Sequence, residues 1–272
     1  MASALPFLTA GDVAALSYGA AADALEAALR SGFDPETDPP RSSIRVGEGE
    51  LLVMPSATAS AAAVKLVTVG GEPRIQGVCV IFDPATLAPV AVVDGIALTN
   101  LRTAAVSALA VRRLVAPGAR RLLVFGRGPQ GRAHAAAIRE VVPSIDQVDV
   151  VGRDTAAPDV ATADVIVCAT TAREPLFDGA RVADRATVVA IGSHEPEARE
   201  LDTSLLRRAQ VVVESRTSAL REAGDVLLAG LEAAQVTTLA EDVAPDYSRP
   251  RVFKSTGMAW EDAVVAAALV LR

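Results

Sequence analysis

The stretch Arg120–Ala135, RRLLVFGRGPQGRAHA, decides the fold: an apolar run ends in Gly126-Arg127-Gly128-Pro129-Gln130-Gly131 and passes straight into an alanine-rich segment. In a strand–turn–helix of this pattern, the first glycine permits the tight turn and the second lets the backbone approach a pyrophosphate. The third lets the helix pack closely on the strand. The phosphates then meet free N–H groups at a helix N-terminus, where partial positive charge favours an anion. Ordinary glycine turns match such a pattern too, so its surroundings matter. RLLVF precedes it, a helical segment follows, and VDVV at 148–151 closes a βαβ unit. We therefore expect a dinucleotide to be bound by Gly126, Gly128, Pro129, Gln130 and Gly131.

The end of the second strand selects the cofactor, because a carboxylate there accepts hydrogen bonds from the ribose 2′-OH of NAD and repels a 2′-phosphate. The chain reads Val151-Gly152-Arg153-Asp154. Glycine stands where the acid is expected, and Arg153 can pair with a phosphate. NADPH is the expected cofactor. NADH is the alternative, if Asp154 takes the ribose and Arg153 is a solvated loop residue.

Working outward, five strand-like runs alternate with helical or loop segments: RLLVFG, VDVVGR, DVIVCAT, ATVVAIGS and AQVVVES. Near-continuous Val/Ile runs are what strands covered on both faces of a parallel sheet require. Upstream, LPFLT at 5–9 reads as a short strand, Thr9 as a cap, and YGAAADALEAALRSG as a helix ending at Gly32. LLVMP, VKLVTV, QGVCVIFD and PVAVVDG are short β-rich runs, the last two a hairpin across PATLA. A helix over TNLRTAAVSALAVRRLVA leads to a boundary at Pro117-Gly118. The tail is expected to be helical after Met258, with Ala259, Val264, Ala267 and Leu271 on one face. The fold class is α/β: a Rossmann-type, doubly wound parallel domain at 117–248, and a discontinuous α+β domain at 1–116 rejoined by 249–272.

The 272 residues are 51% hydrophobic but only 3% aromatic, which suits closely packed α/β layers. With a net charge of −7 and no Lys/Arg run longer than two, nucleic acid and anionic membrane are not expected partners. No uncharged run reaches the roughly 18 residues of a membrane helix, and MASALPFLTAGD lacks the basic start of a leader, so a soluble cytoplasmic protein is expected. Cys79 and Cys168 lie far apart in apolar runs and read as buried reduced thiols; no metal-ligand spacing occurs.

Five further stretches stand in order over nearly the whole chain: LVMPSATASAAAVKLVTV, TNLRTAAVSALAVRRL, AIGSHEPEARELD, SRTSALREAGDVLLAG and VFKSTGMAWEDAV. Together with the glycine turn they resemble the ornithine cyclodeaminase/mu-crystallin family. The LRTAA and VFKSTGMA blocks are the more specific. The resemblance implies an N-terminal substrate and dimerisation domain, a central Rossmann domain, an active site between them, and a homodimer acting on small α-amino or α-imino acids with a nicotinamide cofactor. It places Arg41 and Arg102 on the substrate carboxylate, Lys65 near the reacting carbon, and Asp225 at proton transfer. Thr103 and Ser255 join the cofactor-binding residues.

These residues suit that chemistry. Arginine's planar fork holds a carboxylate bidentately. Lys65, flanked by Val64 and Leu66, needs an anion if buried, and a substrate carboxylate would supply one. Asp225 reads equally as a helix cap before VLLAGLEAA, with Glu222 a weaker rival for proton transfer. His134 and His194 read as non-catalytic. The chain departs from the family at Gly131, where alanine is commoner, and at Leu52 and Val53, where cyclodeaminases carry an acid for the distal amine. ALREAGDVLLAG resembles the mu-crystallin and imine reductase branch. The expected activity is reduction of a small cyclic or acyclic ketimine acid by NADPH. An ornithine cyclodeaminase, an alanine or amino-acid dehydrogenase, and a nucleotide-binding module without turnover remain open.

Overall fold

The computed structural model describes residues 4–156 and 158–270. In chain order the elements are β1 (Phe7–Leu8), α1 (Ala10–Val13), α2 (Tyr18–Arg30), β2 (Ser42–Val46), β3 (Gly49–Ala57), β4 (Ala62–Val69), β5 (Ile75–Phe82), β6 (Pro89–Asp94) and α3 (Gly95–Leu114). There follow β7 (Arg121–Phe125), α4 (Pro129–Val141), β8 (Gln147–Val151), β9 (Val165–Cys168), β10 (Thr187–Ala190), α5 (Thr203–Arg208), β11 (Gln210–Val213), α6 (Arg216–Glu222), α7 (Gly224–Ala229), β12 (Val236–Thr238), β13 (Arg251–Lys254) and α8 (Ala259–Val270). Residues through Val106 and from Met258 onward make one compact unit, and Ser107–Gly257 the other.

The first unit is a six-stranded sheet in the order β1-β6-β5-β4-β3-β2. β2 to β6 form an antiparallel meander, and the short β1 pairs parallel with β6. Side chains alternate between faces along a strand, so β4 turns Ala63, Lys65 and Val67 to its buried face. That face is covered in part by α8, which packs against β3, β4 and β5 and also meets α2. α2 starts at a Ser17 cap, buries Ala21, Ala22, Leu25 and Leu29, and stops before Gly32 at φ +93°, a conformation that favours glycine.

The second unit is a seven-stranded sheet, wholly parallel, in the order β12-β11-β13-β10-β9-β7-β8. The chain runs from β7 outward to β8, then crosses to β9 on the other side of β7. The strand order therefore reverses between β8 and β9, and ligands of such sheets bind at the carboxyl ends of strands around such a point. β9, β10 and β11 are buried at every residue. Their Val/Ile content is what a strand covered on both faces demands.

Three readings need correction. β13 lies in the middle of the parallel sheet, between β10 and β11, so 251–254 belong to the second unit and the return to the first begins at Met258 rather than at 249. The other division falls within α3, after Val106, rather than at Pro117. Finally, α8 is buried all round from Ala259 to Ala267, not on one face; Leu271 lies outside the described residues.

Candidate functional site

The glycine turn in the second unit has the form its sequence requires. Gly126 sits at φ +119°, and a β-carbon there would lie 2.3 Å from the Ala169 carbonyl oxygen. A β-carbon on Gly131 would lie 1.8 Å from the carbonyl oxygen of Gly126, a turn tighter than alanine permits. Gly128 differs: a β-carbon there meets nothing within 4 Å. As the N-cap of α4 it makes no side-chain cap bond, and Pro129 follows at the first helical position. The first and third glycines thus answer to the chain's own backbone, and the second opens onto space in front of a helix N-terminus. A pyrophosphate fits such a cradle.

Around the carboxyl ends of the strands, three buried carboxylates tie the loops together. Glu200 accepts from Thr170 N (2.8 Å), Thr170 Oγ1 (2.7 Å) and Gly192 N (2.7 Å), joining the loops after β9 and β10. Burial pushes its carboxyl above the usual range. Asp225, in the first turn of α7, accepts from the backbone N–H groups of Glu200 and Leu201, both at 2.8 Å, and ion-pairs with Lys254 at 3.0 Å. Lys254 also donates to Ser193 O at 2.6 Å. Asp225 therefore caps no helix of its own. Glu214 accepts from the Ser255 hydroxyl and from Thr256 N at 2.9 Å.

His134 is buried on α4, 2.7 Å from Gln130 O and 2.9 Å from Ser107 Oγ, and burial lowers its pKa to about 4. It is a neutral packing residue. Arg153 and His194 are exposed, and Glu222 is half-buried.

The first unit holds a second charged group, wholly its own. Lys65 on β4 ion-pairs with Asp262 at 2.6 Å. Arg102 on α3 pairs with Glu261 at 2.6 Å and with Asp262 at 3.2 Å. All four side chains are buried, Lys65 at 2% exposure. Burial pulls the Lys65 ammonium below its ordinary pKa, and the Asp262 charge opposes that shift. Asp38 accepts from Trp260 N at 3.0 Å, and burial raises its pKa with a further push from Asp262. Thr103 is buried on α3 beside Arg102, and Arg41 is half-buried in the segment leading to β2. The structure thus brings Lys65 and Arg102 to one carboxylate, Asp262.

Sequence reasoning missed Glu261, Asp262, Glu200, Glu214 and Lys254. The available signal was the adjacent acid pair in an otherwise apolar segment, GMAWEDAVVAAALV, where charge on a helix with no polar face implies buried partners.

The parallel sheet, its reversal of strand order and the glycine cradle define a Rossmann-type dinucleotide-binding protein. The chain belongs to the ornithine cyclodeaminase/mu-crystallin family, whose sequence profile matches residues 7–159 and 155–271. It is 36% identical to the ketimine reductase mu-crystallin of Rattus norvegicus over 277 aligned residues, covering 89% of this chain and 88% of that one. It is 32% identical to a Δ1-pyrroline-2-carboxylate reductase of Colwellia psychrerythraea, covering 73% of each. Among solved structures it is similar to the Thermococcus litoralis Δ1-pyrroline-2-carboxylate reductase in complex with NADH and L-proline. There the TM-score is 0.86 at 26% identity, over 97% of this chain and 96% of that one.

Proposed function

We propose that this chain is an NAD(P)H-dependent oxidoreductase that reduces a small α-imino (ketimine) acid to the amino acid, with NADPH the preferred cofactor. The observation that carries the reading is the buried group Lys65, Arg102, Glu261 and Asp262, in which two cations are balanced by two carboxylates. An imino acid unprotonated at nitrogen brings one carboxylate, which a guanidinium in this group can take, and one basic imine nitrogen, which the ammonium can protonate. Its carboxylate takes the guanidinium fork of Arg102, joined by Arg41, at the expense of part of the Glu261 and Asp262 contacts. Lys65, made more acidic by burial, donates to the imine nitrogen and polarises the C=N bond.

The reduced nicotinamide, when bound, supplies hydride to the imine carbon. Gly126, Gly128, Pro129, Gln130 and Gly131 hold its pyrophosphate, Arg153 its 2′-phosphate, and Thr103 and Ser255 complete the cofactor set. Asp225 acts as a positioning residue: it fixes the loop ending at Leu201 to α7 and Lys254. The proton-transfer role implied for it by family resemblance is the competing assignment.

The protein is proposed to be a homodimer. Its two free, buried thiols, Cys79 and Cys168, fit a reducing compartment such as the cytoplasm. Activity is tested by following NADPH oxidation with preformed cyclic imino acids, with pyruvate plus amines, and with ornithine plus catalytic NAD. Stoichiometric NADPH loss with an imino acid supports the reductase. Conversion of ornithine without net redox change overturns it in favour of a cyclodeaminase.

A further inference from the structure

We infer that Arg127, the residue after the first glycine of the turn, is a specificity-determining residue for the cofactor: with Arg153 it forms a two-armed clamp for the adenosine 2′-phosphate. This rests on the NADPH reading above and deepens it.

Three features of the second unit carry the inference. The Gly126 N–H donates to Val151 O at 2.8 Å, which fastens the glycine turn to the end of β8. The arm of Arg127 consequently lies along Gly152: a β-carbon on that glycine would be 3.1 Å from Arg127 Cδ, 3.3 Å from Nε and 3.5 Å from Nη1. Thr155 N donates to Gly152 O at 3.2 Å, closing a turn that contains Arg153. Gly152 stands where an NAD-selective protein places its ribose-binding acid. Here the position is bare, and a guanidinium lies across it.

The backbone of Arg127 is also held from the helix side, since Arg132 Nη1 donates to Arg127 O at 2.7 Å. Both Arg127 and Arg153 are exposed, so each guanidinium is within reach of a ligand. A 2′-phosphate near −2 charge is matched by two guanidinium forks, which bind phosphate with direction as well as charge. The absence of a side chain on Gly152 gains a purpose beyond omitting the acid, because a side chain there would occupy the path of the Arg127 arm.

The test is calorimetric titration with adenosine 2′,5′-bisphosphate, AMP, NADPH and NADH on wild type, Arg127→Ala, Arg153→Ala and Gly152→Val. We expect wild type to favour each 2′-phosphorylated ligand over its plain counterpart. Arg127→Ala should lose about ten- to hundredfold in affinity for the bisphosphate and for NADPH, with a far smaller change for AMP and NADH. Gly152→Val should shift in the same direction by displacing the arm. If Arg127→Ala retains the full wild-type discrimination while Arg153→Ala loses it, Arg153 works alone and the inference is overturned, the NADPH reading standing. If wild type itself shows no discrimination, the NADPH reading falls and the clamp with it.

Discussion

At the residue scale, the telling arrangement is Lys65, Arg102, Glu261 and Asp262. Removing one partner of a buried ion pair leaves a charge uncompensated, which costs about 3–5 kcal/mol. Asp262 is the shared member, so its loss falls on Lys65 most directly. Asp262 raises the Lys65 pKa against the lowering by burial. In Asp262→Asn the ammonium should therefore lose its proton at lower pH. The alkaline limb of the kcat/KM profile should move to lower pH, a displacement that reduced folding alone would not produce; an unmoved limb would remove Lys65 from proton donation. Asp225→Asn tests the other assignment. A positioning residue predicts a fall in kcat with an unchanged alkaline limb, whereas loss of that limb would restore Asp225 as the proton donor. Lys65 and Arg102 were legible from family resemblance and from the cost of a lysine among apolar neighbours. Glu261 and Asp262 were not, since the pair Arg102–Glu261 is made across 159 residues of sequence and an acidic helix residue ordinarily faces water.

At the element scale, the glycine turn separates folding from binding. Gly126→Ala combines a positive φ with a clash against Ala169 O and should destabilise the fold, while Gly128→Val projects into open space. Gly128→Val should keep the thermal midpoint and lose nucleotide affinity; unchanged affinity by titration would move the pyrophosphate elsewhere. On α4, burial keeps the His134 imidazole neutral down to about pH 4, against 6.5 unfolded. As pH falls, the unfolded chain therefore binds the proton first. The contribution is complete above pH 6.5 and lost on descending towards pH 4, about 3 kcal/mol in all. Denaturant titrations should show that wild type loses more stability than His134→Gln across this window; parallel curves would contradict the burial argument.

The five Val/Ile strands were readable because their runs are mostly apolar, Asp149 in β8 being a charged exception. β13 was not: Arg251 and Lys254 bound it, leaving two apolar residues between buried cations. Arg251 is accommodated because its guanidinium donates to the carbonyls of Leu114, Asp184, Arg185 and Arg249 and to the Thr187 hydroxyl, contacts that, Arg249 apart, only tertiary structure brings together. β12 is three residues long, and β2, SSIRV in sequence, carries no buried residue to give it a period.

At the scale of the whole molecule, β2 forms one edge of the six-stranded sheet, with Ile44 52% and Val46 54% exposed. An open edge bearing apolar side chains invites pairing, and the proposed partner copy would answer that liability. Light scattering at micromolar concentration should give twice the chain mass, and Ile44→Asp should lower it towards one; a wild-type monomer would contradict the dimer. Among the described residues, no helix is long and apolar enough to cross a membrane. The reductase itself is tested most directly by mixing stoichiometric NADPH with a preformed cyclic α-imino acid and measuring both NADPH loss and amino acid formed. The account predicts equal amounts of each. No NADPH loss with any imino acid, together with release of ammonia from ornithine under catalytic NAD, would contradict it.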